Sequence, residues 1–306
     1  MALGSPRVSV VIPLYNHALF VTEAIESVLS QGAIVKEVVI IDDGSTDGSA
    51  AMVERLARQE RRIRFERQAN QGAHATINIG LGRCVGDMVA VLNSDDAFLP
   101  GRLSTLVDAL DADSGSDIAT SGIEFMDATG SRIENAWYEK AVASYGTGIN
   151  LAAALLDGNF LMTTSNFLFR RSLLETVGGF AELRYAHDLD WLLRSLALGR
   201  RITIADQKLL RYRMHGHNTI NEDHRGVRVE WAIVAAAYLT TLWDRPGAAQ
   251  IDWAQAADVQ TVLRRHELDR AAAPCMAYLR RHGCVPLDRS PLLADRSFKD
   301  LVKEWV

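Results

Sequence analysis

The sequence predicts an α/β fold: a mostly parallel central sheet flanked by helices, with a helical C-terminal segment. Three observations carry that prediction. β-branched runs alternate with helix-period runs over the first hundred residues, the links between them are short, and no internal repeat or low-complexity linker interrupts the chain. Residues 7–13 (RVSVVIP) and 35–41 (VKEVVII) read as buried parallel strands, residues 63–67 as a third, and residues 87–92 (DMVAVL) as a fourth. Residues 18–31 have helical spacing with Gly32 as a stop. A second helix, capped by Ser45 or Asp47, runs to about Gln59, and residues 73–84 form a third. Further on, strands are expected at 118–126, 163–169 and 202–214, and helices at 150–156 and 188–198. Beyond Asn221 the text turns Ala-, Leu- and Arg-rich with helical periodicity.

Composition narrows the class. The 306 residues are 48% hydrophobic and 23% charged, as in an ordinary globular chain, not a disordered or collagenous one. Lys plus Arg number 33 against 38 Asp plus Glu, a net charge of −5 that gives no electrostatic reason to expect a nucleic-acid partner. Cys84, Cys275 and Cys284 lack metal-site spacing and form an odd set, so reduced thiols and a cytoplasmic location are expected. The N-terminus lacks the features of a secretory signal, and no apolar run reaches the length of a spanning helix. Residues 228–242 carry an apolar face suited to core packing, to a second subunit, or to peripheral contact with the inner face of a membrane.

In an open parallel sheet, ligands bind beyond the carboxyl ends of the strands. Pro13-Leu14-Tyr15-Asn16 ends the first predicted strand, Asp42-Asp43-Gly44-Ser45 the second, and Asn93-Ser94-Asp95-Asp96 the fourth. Carboxylate pairs raise each other's pKa unless cationic or hydrogen-bonding partners intervene. A divalent cation relieves that repulsion, and oxygen ligands suit Mg²⁺ or Mn²⁺ with phosphate oxygens completing the shell. The two acidic pairs together point to a metal–diphosphate site. Each alone is equally a strand-to-turn sequence with an Asp capping the next helix. No G-x-G-x-x-G follows the first strand and no P-loop occurs, which removes the main support for dinucleotide or P-loop binding.

Taken in order and spacing, the segments VSVVIPLYNHALFVTEAIESVLSQ, EVVIIDDGSTDGS and NQGAHATINIGLGRCVGDMVAVLNSDD resemble glycosyltransferase family 2. SNFLFRRSLLETVGGF, LRYAHDLDWLLRSLALG and YRMHGHN extend the resemblance, so that it covers about residues 7–218. It implies a GT-A fold and an inverting nucleotide-sugar transferase. It also implies a division of the chain into a GT-A domain over residues 1–220 and a helical extension over 221–306. Within the former, about 1–100 would bind nucleotide and about 101–220 acceptor.

Position by position, the resemblance implies that Pro13 and Tyr15 line the base pocket and that Asp43 hydrogen-bonds the base. Asn70, Gly72 and Asn78 would lie in the loop and helix closing over nucleotide and sugar. Asn93, Ser94 and Asp95 occupy the family's D-x-D position, with Asp95 the metal ligand and Asp96 a contact to sugar or metal. Asn93 departs from the pattern by carrying no charge. Asp188 takes the place of the catalytic base, although His187 replaces the commoner Glu. A helix N-cap is the plainer reading of Asp188, and Asp190, facing the other side of that helix, is structural or a sugar contact. His215 matches a metal or diphosphate ligand and Arg213 a phosphate partner. A surface histidine in a loop is the alternative for His215, and for His217 the favoured reading.

The implied reaction is displacement at the anomeric carbon of a nucleotide sugar, with UDP favoured over dTDP or GDP. The acceptor is a hydroxyl on a saccharide or lipid-linked glycan of the cell envelope, and Mn²⁺ or Mg²⁺ is the cofactor. Two other classes stay open: a sugar nucleotidyltransferase, and a silent module that binds nucleotide sugars. A homo-oligomer is a further expectation.

Overall fold

A computed structural model of the chain describes residues 7–216, 218–244, 253–282 and 295–306. Its elements run β1 (Val8–Leu14), α1 (Val21–Leu29), β2 (Val35–Asp42), α2 (Ser49–Gln59), β3 (Ile63–Arg67), α3 (Ala73–Arg83), β4 (Met88–Val91), β5 (Ala97–Phe98) and α4 (Arg102–Ala112). There follow β6 (Ile118–Met126), β7 (Arg132–Ile133), α5 (Ala136–Tyr145), α6 (Leu151–Asp157), β8 (Leu168–Arg170), α7 (Leu173–Val177), α8 (His187–Ala197) and β9 (Ile202–Arg213). The C-terminal helices are α9 (His224–Asp244), α10 (Trp253–Arg265), α11 (Asp269–Arg281) and α12 (Arg296–Lys303).

Contacts divide the chain into two compact units. The first is Met1–Ile133, Thr163–Glu175 and Arg201–His215, and the second is Glu134–Met162, Thr176–Arg200 and Gly216–Val306. The division is not the one expected near residue 220. α6 packs on α10, and α8 on α9, so the apolar faces of the middle helices are buried by the C-terminal ones.

All the strands described belong to the first unit, in the order β3-β2-β1-β4-β8-β6-β9-β5, with β7 on the side of β6. Pairing is parallel across β3, β2, β1 and β4. Beyond β4 it is mixed: β8 is antiparallel to both β4 and β6, while β9 runs parallel to β6. β1 lies between two strands under helices on its faces, which is why nearly every residue of it is apolar and buried. α1 buries Val21, Ala24, Ile25 and Val28, the stripe its spacing predicts. α3 comes so close to β1 that a methyl on Gly80 would sit 2.4 Å from Val11 Cγ1, so a side chain there would have to push Val11 or the helix aside.

Two local expectations fail for identifiable reasons. The strand expected over 163–169 exists only as Leu168–Arg170. Ahead of it Thr164–Asn166 forms a 3₁₀ turn, because the Thr163 hydroxyl accepts the Ser165 N–H and competes with the ladder. The second helix has Gly48 at its N-cap, and Asp47 instead accepts the N–H groups of Ala18 and Ser49 at 2.8 and 2.9 Å.

The second unit is helical and centres on α9, against which α8, α11 and α12 pack. Ala232 to Leu239 is continuously buried. The apolar face considered for membrane or subunit docking is therefore core. Among the described residues, no helix is long and apolar enough to cross a membrane. Cys84 and Cys275 are buried thiols whose pKa burial pushes up to about 12, so neither is reactive. Cys284 and His217 lie outside the described residues.

Candidate active site

The registers Leu14↔Asp42 and Val11↔Val91 bring the carboxyl ends of β1, β2 and β4 side by side. Pro13 is tolerated in this central strand for a geometric reason. Its nitrogen points to the side on which Val11 O accepts Leu92 N, and there the β4 ladder has already ended. The chain leaves β1 through half-exposed Tyr15 and through Asn16, held left-handed at φ 52°. Asn16 staples the ends of β1 and β2: its N–H donates to Ser45 Oγ at 2.9 Å and its Oδ1 accepts Thr46 N–H at 2.8 Å.

Asp43, 3% exposed, has both oxygens engaged by the loop before α3. Oδ1 accepts Gln68 Nε2 and Gln71 N–H, each at 2.8 Å, and Oδ2 accepts Gly72 N–H at 2.9 Å. Gly72 caps α3 at φ 89°, ψ 162°, a conformation open to glycine and strained for other residues. Asn70 lies exposed in the same loop and Asn78 half-buried on α3. Asp43 thus shapes the loop in which Asn70 and Gly72 lie.

Beyond Leu92, the residues Asn93 to Asp96 sit in distinct environments. Asn93 donates through Nδ2 to Thr163 Oγ1 at 2.9 Å and accepts Thr164 Oγ1 at 3.1 Å. An amide does both and a carboxylate only accepts, which accounts for Asn at this position. Ser94, almost wholly buried, places its hydroxyl 2.8 Å from His17 Nδ1. Asp95 Oδ2 lies 3.0 Å from His215 Nε2 and 4.0 Å from His17 Nε2. Asp96 is sealed in: Oδ2 accepts Ser165 Oγ at 2.6 Å and Oδ1 accepts Arg213 N–H at 2.9 Å.

These environments separate the two neighbouring carboxyls. Burial drives Asp96 well above the usual carboxylate range, and the charge of Asp95 adds to it, outweighing Ser165 and Arg213. Burial also works against Asp95, but the hydrogen bond with His215 and the nearby His17 hold it below that range. Asp95 is the anion of the pair.

Sheet register delivers His215. β5 follows the Asn93–Asp96 turn directly and pairs antiparallel with β9, Ala97 opposite Arg211 and Phe98 opposite Leu210. Running back from Ala97 to Asp95 corresponds to running forward from Arg211 to Arg213, which brings the end of β9 alongside the turn. Arg213, expected at the phosphates, is 2% exposed and committed within the protein. Its Nε donates to Asp95 O at 2.8 Å and Nη1 to Asp127 O at 3.2 Å, Nη2 pairs with Glu23, and the guanidinium lies over Phe20 at 4.7 Å. Phe20 also stacks on the His215 ring, centroids 5.2 Å apart, fixing its plane.

His17, Asp95 and His215 each offer a ligand atom, all within 4.8 Å of one another, at these half-buried positions. The set is two imidazole nitrogens and one carboxylate, not the oxygen-only set expected from the acidic clusters. Such donors fit a divalent transition ion such as Mn²⁺ better than Mg²⁺. The Ser94 hydroxyl on His17 Nδ1 turns Nε2 toward Asp95, the outer-shell arrangement that orients a ligating histidine. His17 is the ligand candidate that sequence reasoning missed, although its place three residues past β1, at a strand end, was the available signal.

In the second unit, Asp188 stands in the first turn of α8, whose N-cap is Ala186. The capping reading is therefore set aside. Its carboxylate is 6% exposed and accepts Asn159 Nδ2 at 3.1 Å. Burial pushes its pKa up to about 7, opposed by the Leu189 N–H and Asn159 and aided by the charge of Glu230. Asp190 pairs with Arg194 at 2.9 Å, both buried, and is structural. His187 packs edge-on against Phe180.

The sequence pattern of Glycosyl transferase family 2 matches residues 9–178, more than half of the chain. An uncharacterized glycosyltransferase of Nostoc sp. is 31% identical over 219 residues, 69% of this chain and 66% of its own length. The succinoglycan biosynthesis protein ExoO of Rhizobium meliloti is 31% identical over 207 residues, 65% and 58% of the two chains. The chain thus spans less than two thirds of the length of these relatives. Among solved structures, TarS 1–349 of S. aureus in complex with UDP-GlcNAc superposes with a TM-score of 0.59 at 18% identity, covering 97% of this chain and 90% of its own. The mannosyltransferase PcManGT from Pyrobaculum calidifontis, in complex with GDP-Man and Mn²⁺, gives 0.59 at 19% identity, covering 99% and 85%. The protein has the GT-A fold of these transferases. It belongs to glycosyltransferase family 2.

Proposed function

We propose that this protein is an inverting glycosyltransferase that moves a sugar from a nucleotide diphosphate, UDP favoured, to a hydroxyl of a saccharide or lipid-linked glycan acceptor. One observation carries the reading: His17, Asp95 and His215 converge beyond the carboxyl ends of strands in a family 2 fold. The named complexes support a nucleotide-sugar donor, since TarS was solved with UDP-GlcNAc and PcManGT with GDP-Man and Mn²⁺.

His17, Asp95 and His215 would hold a divalent cation, with Mn²⁺ favoured by the imidazoles. When bound, such a cation supplies Lewis-acid neutralisation of the departing diphosphate. Asp188 takes the proton of the acceptor hydroxyl as its oxygen bonds to the anomeric carbon and the bond to the diphosphate breaks. A base with a pKa of about 7 has the strength suited to that transfer near neutrality. Asp43 sets the loop carrying Asn70 and Gly72 over the nucleotide. A single displacement with one base inverts the anomeric centre.

A thermal-shift panel of UDP, dTDP and GDP with and without Mn²⁺, followed by assay of UDP release from UDP-sugars, tests the reading. The expected result is a Mn²⁺-dependent shift with one nucleotide and slow hydrolysis of its sugar. Binding without turnover would indicate a silent module, and no binding would remove the reading.

A further inference from the structure

The C-terminal helices are not an appendage to the chemistry. Glu230, on α9 and 3% exposed, faces the loop that leads into α8. Its Oε1 accepts Arg184 N–H at 2.9 Å, and its Oε2 accepts Tyr185 N–H at 2.7 Å and Ala186 N–H at 3.1 Å. Three consecutive amides thus converge on one buried carboxylate, an anion nest. Lys299 from α12 closes it with Nζ 3.1 Å from Oε1. Ala186 is the N-cap of α8, and Asp188 follows two residues later.

We infer that Glu230 is a positioning residue, which fixes the entry to α8 and so sets the place of the Asp188 carboxylate. This rests on the reading of Asp188 as the base. Charge-assisted hydrogen bonds to three successive amides leave that backbone little freedom, whereas the neutral Gln side chain, with one acceptor oxygen in place of two, would leave at least one of these buried donors unsatisfied. Glu230 also brings a buried negative charge into the surroundings of Asp188, favouring the protonated form. The charged and titratable groups around the pair are Lys299 on α12, Tyr185 in the loop and His187 beside Asp188. Glu222, Asp223 and Arg184 lie near Tyr185, and Asp190 and Arg194 bind each other along α8. On α6's side the group facing Asp188 is the neutral Asn159 amide.

The test uses the full chain and no donor. Amide hydrogen exchange is followed at residues 184–186, and Asp188 is titrated by NMR with ¹³C-labelled aspartate, its signal being the one lost in Asp188→Asn. In Glu230→Gln we expect exchange at these amides to quicken roughly tenfold or more, the factor for losing one charge-assisted bond. We also expect the Asp188 midpoint to move to lower pH. Glu230→Asp keeps the charge and shortens the reach, so exchange should quicken while the midpoint stays near wild type. A folded Glu230→Gln with unchanged exchange or an unchanged midpoint overturns the inference. If that variant does not fold, unchanged exchange in Glu230→Asp overturns it. Undiminished transfer by Asp188→Asn would instead overturn the role of Asp188, a result that these two readouts do not share.

Discussion

The side-chain amide of Asn159 donates to Asp188 Oδ2 across 3.1 Å, tying the start of α8 to the segment after α6. That bond favours the carboxylate and opposes the upward push of burial. In Asn159→Ala the pKa of Asp188 should rise, so the acid limb of the kcat profile moves to higher pH while turnover at pH 9 is largely kept. A kcat–pH series on both proteins checks this, and a limb that stays in place or moves down refutes it.

Asp188→Asn should lower transfer by about 10²–10⁴-fold, the usual worth of a general base, and leave nucleotide affinity close to wild type. Steady-state rates with calorimetric UDP binding distinguish a lost base from a damaged fold.

The same substitution has a stability consequence of definite sign. The folded-state pKa of Asp188 is raised from 3.8 to about 7. The native state therefore loses stability as pH rises from about 4 to about 7, and the loss persists above. Asp188→Asn should melt several degrees above wild type at pH 8, and the difference should vanish toward pH 4.

Removing metal with EDTA should abolish turnover, and Mn²⁺ should restore it better than Mg²⁺. His17→Ala and His215→Ala should each weaken Mn²⁺ binding, measured by electron paramagnetic resonance titration of free Mn²⁺. Ser94→Ala, which removes the hydrogen bond to His17 Nδ1, should weaken Mn²⁺ binding by about 10–100-fold. Full Mn²⁺ affinity in His17→Ala would exclude it as a ligand.

Gly72→Ala forces a side chain into φ 89° and should destabilise the protein by about 1–3 kcal/mol. Because Gly72 N–H bonds Asp43, nucleotide affinity should fall with it. Chemical denaturation and UDP titration measure the two effects.

The parallel half of the fold was legible because buried strands leave β-branched runs, and β1, β2 and β3 fall within a residue of their expected limits. The mixed half was less so: β5 and β7 have two residues each and are defined by their partners, a relation that no local pattern carries. At the site, the acidic strand end marks Asp95 and the family resemblance marks both Asp95 and His215, and the structure brings them within 3.0 Å of each other. For Arg213 and Asp96 the family resemblance implies ligand contacts, but the structure commits both side chains within the protein. Their partners, Glu23, Asp127 and Ser165, are remote in sequence and visible only after folding. His17 went unassigned for the converse reason, since its value depends on Ser94 and on the register of β9.

The pairing of β9 with β5 has a consequence for synthesis. The ribosome makes His17 and Asp95 more than a hundred residues before His215, and β9, which His215 follows by two residues, is the last of the described strands to be made. A nascent chain holding only the earlier two donors has an incomplete cradle, so a chain truncated before β9 should neither retain Mn²⁺ nor turn over a donor. On the proposed reading, the order of translation would withhold competence until the sheet is whole.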